Sequence, residues 1–384
     1  MPLIIHIVFI SLLTLAVQQT SDPTNKIRGL RVDVGYFYNQ YPAKTVAALA
    51  EELIAKASRS GVNTLFVYAY NSAYGAKYVT DYPFTTVEGG YGRLDILNHI
   101  SLEAKRNGIK VVASVPANNF KSLWEKKSAW RAKTIDGLDY VPGENMYLLS
   151  AWHPEFRTWL AGFYRDLINK NPYIDGIEIV EPFIDYRWQR ESDYNPLANA
   201  RFKRQFPSGK LGDENWLLVR AQGLTDLIGI MNSAAHFYKK DSYLVHTWPA
   251  KADGKLISYD AVRDNIGLDI EGLLKLKGNK TLDYLSTELM WQQWAAQFGG
   301  EHFNPKWTEK TALEFIKTLN SRTKPIIHVE VSSFTGENGV IVKPTPEEFV
   351  ATLEAIRNLN AGIDVYDYNQ IENAGLWDEL LSWF

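Results

Sequence analysis

Tyr173-Ile174-Asp175-Gly176-Ile177-Glu178-Ile179-Val180-Glu181-Pro182-Phe183-Ile184-Asp185-Tyr186 is the stretch that decides the fold. Turn residues, Asn171-Pro172 and then Asp175-Gly176, lead into a short β-rich apolar run that ends in a carboxylate followed by proline. Parallel barrel strands deliver charge to their rim in this way. A carboxylate is costly to hold among apolar side chains, so one placed at a strand exit points to chemistry.

Outward from this stretch, seven more runs of the same kind recur, at residues 30–35, 64–71, 109–115, 243–248, 282–291, 325–331 and 362–368. The central run itself covers 176–181. Helical apolar spacing fills the intervals, over 45–58, 94–106, 154–169, 215–238, 308–321 and 346–359. The unit at 257–275 has the weakest pattern and contains Gly267 and Gly272. Eight strand–helix units without an internal linker predict a single closed (β/α)8 TIM barrel over residues 27–384. An open doubly wound sheet is the alternative, but no glycine-rich phosphate loop follows the first strand. Long loops are expected after strands two and three, at 71–93 and 117–152, rich in Tyr, Trp and Phe and placed to wall a cleft.

The chain has 384 residues, 46% hydrophobic and 13% aromatic, with a net charge of −3, which suits a large globular core. No basic run interleaves with aromatics, so no nucleic-acid partner is expected. Residues 3–17 form an apolar run shorter than the roughly 20 residues of a membrane span, followed by polar Gln18-Gln19-Thr20-Ser21. This reads as a signal peptide ending near residue 20, a secreted or periplasmic protein, and no stable membrane partner beyond that signal. The absence of cysteine removes disulfides and thiolate chemistry.

Five carboxylates fall near strand exits: Asp33, Glu181, Glu288, Glu330 and Asp367. Alternation puts Ile326, His328 and Glu330 on one face, Ser286 and Glu288 on one face, and His246 with Trp248 on one face, all expected to point inward near the mouth. Glu178 and Glu181 have opposite parity, so an ideal strand cannot send both inward. Glu181, at the exit, is the chemical candidate, and Glu178 is expected in a buried salt bridge. Two carboxyl groups across a cleft are the equipment of glycoside hydrolysis, at roughly 5–5.5 Å for retention and roughly 6.5–9.5 Å for inversion. The seven His are scattered without metal-ligand spacing, and no cofactor is expected.

The segment Leu148-Leu149-Ser150-Ala151-Trp152-His153-Pro154-Glu155-Phe156-Arg157, with Tyr173-Ile174-Asp175-Gly176-Ile177 and Ser128-Ala129-Trp130-Arg131-Ala132 before Asp136-Gly137, resembles the glycosyl-hydrolase-like family 10 proteins. The resemblance implies an exported TIM-barrel glycosidase with an acid at Glu181, although Val180-Glu181 stands where that family commonly has an Asp pair. Glu181-Pro182 and Pro325-Ile326-Ile327-His328-Val329-Glu330 are similar to the clan A retaining glycosidases, with Val180 in place of their usual Asn. A pairing of Glu181 with Glu288 is similar to α-galactosidase-like barrels. The expectation is a retaining glycoside hydrolase acting on a polysaccharide or oligosaccharide. Glu181 is its general acid/base, Glu330 its nucleophile and Glu288 the rival to Glu330. Asp33, Tyr68, His246, Trp248, Trp291, His328 and Tyr368 are expected to contact substrate. The alternatives are a carbohydrate-binding barrel without turnover and a metal-dependent hydrolase or deacetylase.

Overall fold

The computed structural model describes residues 26–40, 42–336 and 339–384; the leader read from residues 3–17 lies outside the described residues. Eight parallel strands close into one barrel. They are β1 (Arg28–Val32), β2 (Thr64–Tyr68), β3 (Lys110–Pro116), β4 (Gly176–Val180), β5 (Asp241–His246), β6 (Tyr284–Glu288), β7 (Lys324–Glu330) and β8 (Gly362–Tyr366). Each expected run is a strand, and each strand pairs with its sequence neighbours, β8 closing on β1.

Local chemistry sets the helix boundaries. Thr45 caps Val46–Arg59 by accepting from the Ala48 amide, and Thr345 with Glu348 forms a reciprocal capping box at Pro346–Ile356. The segment at 257–275 is two helices, Tyr259–Ile266 and Ile270–Leu274. Gly267, at φ +81°, ends the first, and Asp269 caps the second through the Gly272 amide at 2.8 Å. Among the described residues, no helix is long and apolar enough to cross a membrane.

The barrel interior has two contrasting tiers. Its floor is apolar, built from Ile27, Phe66, Val112, Tyr243 and Ile326, with Tyr284 packed against them. The Tyr243 and Tyr284 rings stack at 4.5 Å and 7°. Glycine makes room for this floor: a Cβ on Gly176 would lie 2.5 Å from the Tyr243 ring, and one on Gly29 would lie 2.8 Å from Phe66. Above the floor sits a polar tier from alternate strand positions: Arg31, Ser114, Glu178, Ser286, His328 and Asp364, all buried. Part of the aromatic set of the two long loops turns inward, while Tyr91 stacks with Tyr74, which is 47% exposed. Tyr78, Phe120, Trp130 and Tyr140 are buried, packed with helix Pro154–Lys170 and neighbouring loops. These loops buttress the mouth because aromatic burial outweighs leaving such area in water.

Candidate active site

Strand β4 supplies the first group. Glu178 faces into the barrel and is fully buried, as its parity requires. Glu181 follows the strand with φ +45°, a left-handed conformation that is sterically unfavourable for a residue with a Cβ. The twist breaks the alternation that would have aimed Glu181 at the helices, and its carboxylate reaches the mouth beside β5 and β6. The parity conflict is resolved by backbone strain, and the strain lies at the residue with the most exposed acid on this strand.

Thr247, the residue after β5, organises the pair. Its amide and its hydroxyl both lie 2.8 Å from Glu181 Oε1, and the same hydroxyl lies 2.5 Å from Glu288 Oε2. A threonine hydroxyl has one proton to donate. If it donates to Glu181, Glu288 must be the protonated partner that donates to Oγ1. Electrostatics agree: burial first, and the Glu181 charge second, push the Glu288 carboxyl up to about 8. Two contacts meeting on one oxygen keep Oε1 of Glu181 and Oε2 of Glu288 within about 5.3 Å. His246 lies beside this pair, its Nδ1 3.9 Å from Glu181 Oε1. Burial holds its imidazole below the ordinary pKa, and neither ring nitrogen has a hydrogen-bond partner among the described residues.

Across the mouth, Glu330 heads a line of alternating charge that descends into the polar tier. His328 contacts Glu330 Oε1 through Nε2 at 3.3 Å and Asp364 Oδ1 through Nδ1 at 2.8 Å. Despite its burial, Asp364 and Glu330 raise His328 to about 10, which favours its protonated form, and Arg31 Nε lies 3.0 Å from its Nδ1. Asp364 is held down to about 2 by Arg31 and His328 in spite of its burial. Arg31 donates to Asp364 from Nε and Nη2 at 2.9 Å each, and to both Glu178 oxygens at 2.8 Å. Ser114 adds a 2.7 Å bond to Glu178. A lone buried charge would be very costly, but here each one faces an opposite neighbour with hydrogen-bonding geometry.

A third group lines the rim over β1, β2 and β8. Asp33 lies 3.6 Å from the buried ammonium of Lys77, which sits 6.0 Å from the Tyr68 ring and 5.8 Å from the Tyr91 ring. Burial lowers the Lys77 pKa and raises the Tyr68 pKa well above its ordinary value. Asp367 is raised to about 6 by burial and caps the Gln370 amide at 3.0 Å. Among the described residues, no group of three or more His, Asp and Glu is placed to hold a metal ion.

Several residues expected at the substrate surface are elsewhere. Trp248 is buried against Tyr259 and Phe315 and donates to the Ile257 carbonyl. Trp291 is buried and donates to Thr352 Oγ1 at 3.0 Å, and Tyr368 is buried against Trp377. His328 is 1% exposed and is engaged with Glu330 and Asp364. His246 is also buried, because on β5 the inward face belongs to Tyr243 and Val245, and Thr247 continues it. Sequence reading missed Thr247, Lys77, Arg31 and Asp364. The last two carried a usable signal: opposite charges in the middle of otherwise apolar strands.

No family model matches the chain, and no curated protein matches it in sequence. Solved structures do match. The PgaB (BpsB) glycoside hydrolase domain from Bordetella bronchiseptica is similar at a TM-score of 0.69 and 16% identity, over 93% of this chain and 98% of that one. A catalytic mutant of Gan42B, a GH42 β-galactosidase from G. stearothermophilus, is similar at 0.61 and 14%, over 93% of this chain and 55% of that one. The endo-1,4-β-mannanase from Rhizomucor miehei is similar at 0.53 and 11%, over 93% and 95%. What is shared is the barrel. These neighbours support the broad likeness to glycosidase TIM barrels and not the narrower one to glycosyl-hydrolase-like family 10.

Proposed function

We propose that this protein is a retaining glycoside hydrolase of an oligosaccharide or polysaccharide, with Glu288 as general acid/base and Glu181 as nucleophile. One observation carries the reading: a single Thr247 hydroxyl lies within hydrogen-bond distance of both carboxyl groups. This arrangement supports one group as proton acceptor and the other as proton holder, at a separation below the roughly 6.5–9.5 Å of inversion. In the first step, the Glu288 proton passes to the glycosidic oxygen as the C–O bond breaks, and Glu181 forms an ester with the anomeric carbon. In the second, Glu288, now a carboxylate, takes a proton from water, whose oxygen replaces Glu181 at that carbon. Both groups end as they began.

This reverses the role expected for Glu181 and gives the partner position to Glu288 instead of Glu330. Glu330 is bonded to a charged imidazole. It serves better as a fixed anion facing sugar hydroxyls and the positive charge that develops on the ring. The leader read from residues 3–17 fits an enzyme working outside the cytoplasm.

The test is hydrolysis of a glycan panel by wild type, Glu181→Gln, Glu288→Gln and Glu330→Gln, with NMR of the first-formed anomer. The first two variants should lose at least about three orders of magnitude in kcat, and Glu330→Gln should lose less. Near-wild-type rates from Glu288→Gln would remove it as the acid. Glycan binding without product by wild type would favour a binding protein built on the same barrel.

A further inference from the structure

Beyond the carboxylates, the mouth carries an apolar surface that no step above uses. Helix Trp291–Phe298 begins just after Glu288, and Gln292 ties it to the end of β7 through a 2.8 Å bond to the Glu330 carbonyl. Trp294 and Phe298, four residues apart, lie on one side of the helix. Their rings are near-parallel, at 5.9 Å and 12°, with Phe298 63% exposed. Phe298 is rooted from below by buried Phe303, which packs on buried Trp307. A small hairpin, Phe334–Thr335 paired with Ile341–Val342, grows from the end of β7 and adds exposed Val340 and Ile341 at 48% and 67%. Both segments leave the carboxyl ends of the strands that bear Glu288 and Glu330.

We infer that Trp294 and Phe298 form a sugar-stacking subsite, about two units from the cleavage point, which selects long glycan chains over short ones. This rests on the glycosidase reading above. A pyranose ring presents a face of C–H groups that packs flat on an aromatic ring, and a face-stacked pair leaves the outer face of Phe298 open to such a partner. Size argues against a protein partner: a few side chains fall well short of the roughly 800 Å² per side of a stable interface. Reach agrees with a distal subsite, since a helix of this length carries Phe298 roughly 10 Å beyond its first residue, or about two sugar units.

The experiment uses the full chain with Glu288→Gln, to allow binding without turnover. Titrations employ cello-, manno- and chito-oligosaccharides from disaccharide to octasaccharide. Affinity should rise with length in the series that binds, and adding Phe298→Ala should weaken the octasaccharide about tenfold while leaving the disaccharide unchanged. Phe298→Trp should restore the length dependence, which a folding defect would not allow. Unchanged octasaccharide affinity in Phe298→Ala overturns the subsite and leaves the glycosidase reading standing. If no series binds and none is cleaved by wild type, both readings fall. A wild-type dimer that Ile341→Ser converts to monomer would assign this surface to a second copy instead.

Discussion

At the scale of single residues, the site depends on where one proton sits. Thr247 has one hydrogen for two acidic neighbours, and a second proton on Glu288, whose carboxyl burial and Glu181 raise to about 8, would satisfy both contacts. Carbon-13 NMR of labelled glutamate should show one side chain titrating near that value. In Glu181→Gln that titration should move to lower pH, because removing a neighbouring negative charge relieves the repulsion that disfavours the Glu288 anion. No movement, or an upward one, would separate the two groups electrostatically and dissolve the proposed pair.

Elements hold these residues, and two of the eight strands show how. Arg31 on β1 joins β4 to β8 by binding Glu178 and Asp364 together. Arg31→Met removes the cation and strands two buried carboxylates. The expected loss is about 3–5 kcal/mol in denaturant unfolding, far more than an exposed ion pair gives. Gly176→Ala on β4 should cost about 1–3 kcal/mol in the same assay, since its Cβ would press on the Tyr243 ring. A change below about half a kcal/mol in either variant would show that the interior relaxes freely. Strand positions were legible in the sequence because β-branched runs alternate with helical spacing. Which face of a strand points inward was legible only where a charge marked it. Glu288, His328 and Glu330 were placed on the correct face this way. On β5 each face mixes apolar and polar residues, so alternation carries no clear signal, and it assigns His246 and Trp248 to the inner face that Tyr243, Val245 and Thr247 occupy. The left-handed turn at Glu181 was invisible for a different reason: strain is imposed by the closed barrel and leaves no mark in a local run of residues.

For the whole molecule, the buried charges set the pH range of stability. His328 is raised from 6.5 to about 10, so its contribution is complete below about pH 6.5 and is lost as pH climbs through 10. Glu288, raised from 4.5 to about 8, also favours the fold at lower pH and loses that contribution as pH rises through 8. Asp364, lowered from 3.8 to about 2, acts in the opposite sense, contributing above 3.8 and failing as pH falls through 2. Calorimetric Tm should therefore peak between about pH 3.8 and 4.5 and decline from there towards 10. Asp364→Asn should flatten that alkaline decline by releasing His328. A Tm that rises across this range would mean that the charged chain does not persist in solution.

The same chain makes the barrel a clock for its own opening. Arg31 is fully buried between His328 and the Phe66 ring, and its Nε, Nη1 and Nη2 donate to Glu178 and Asp364. Arginine side-chain hydrogens on a surface trade with water almost at once, whereas these can leave only when the strands part. In deuterated solvent their fading signal would count whole-barrel openings one by one, in a molecule whose loops and mouth exchange long before.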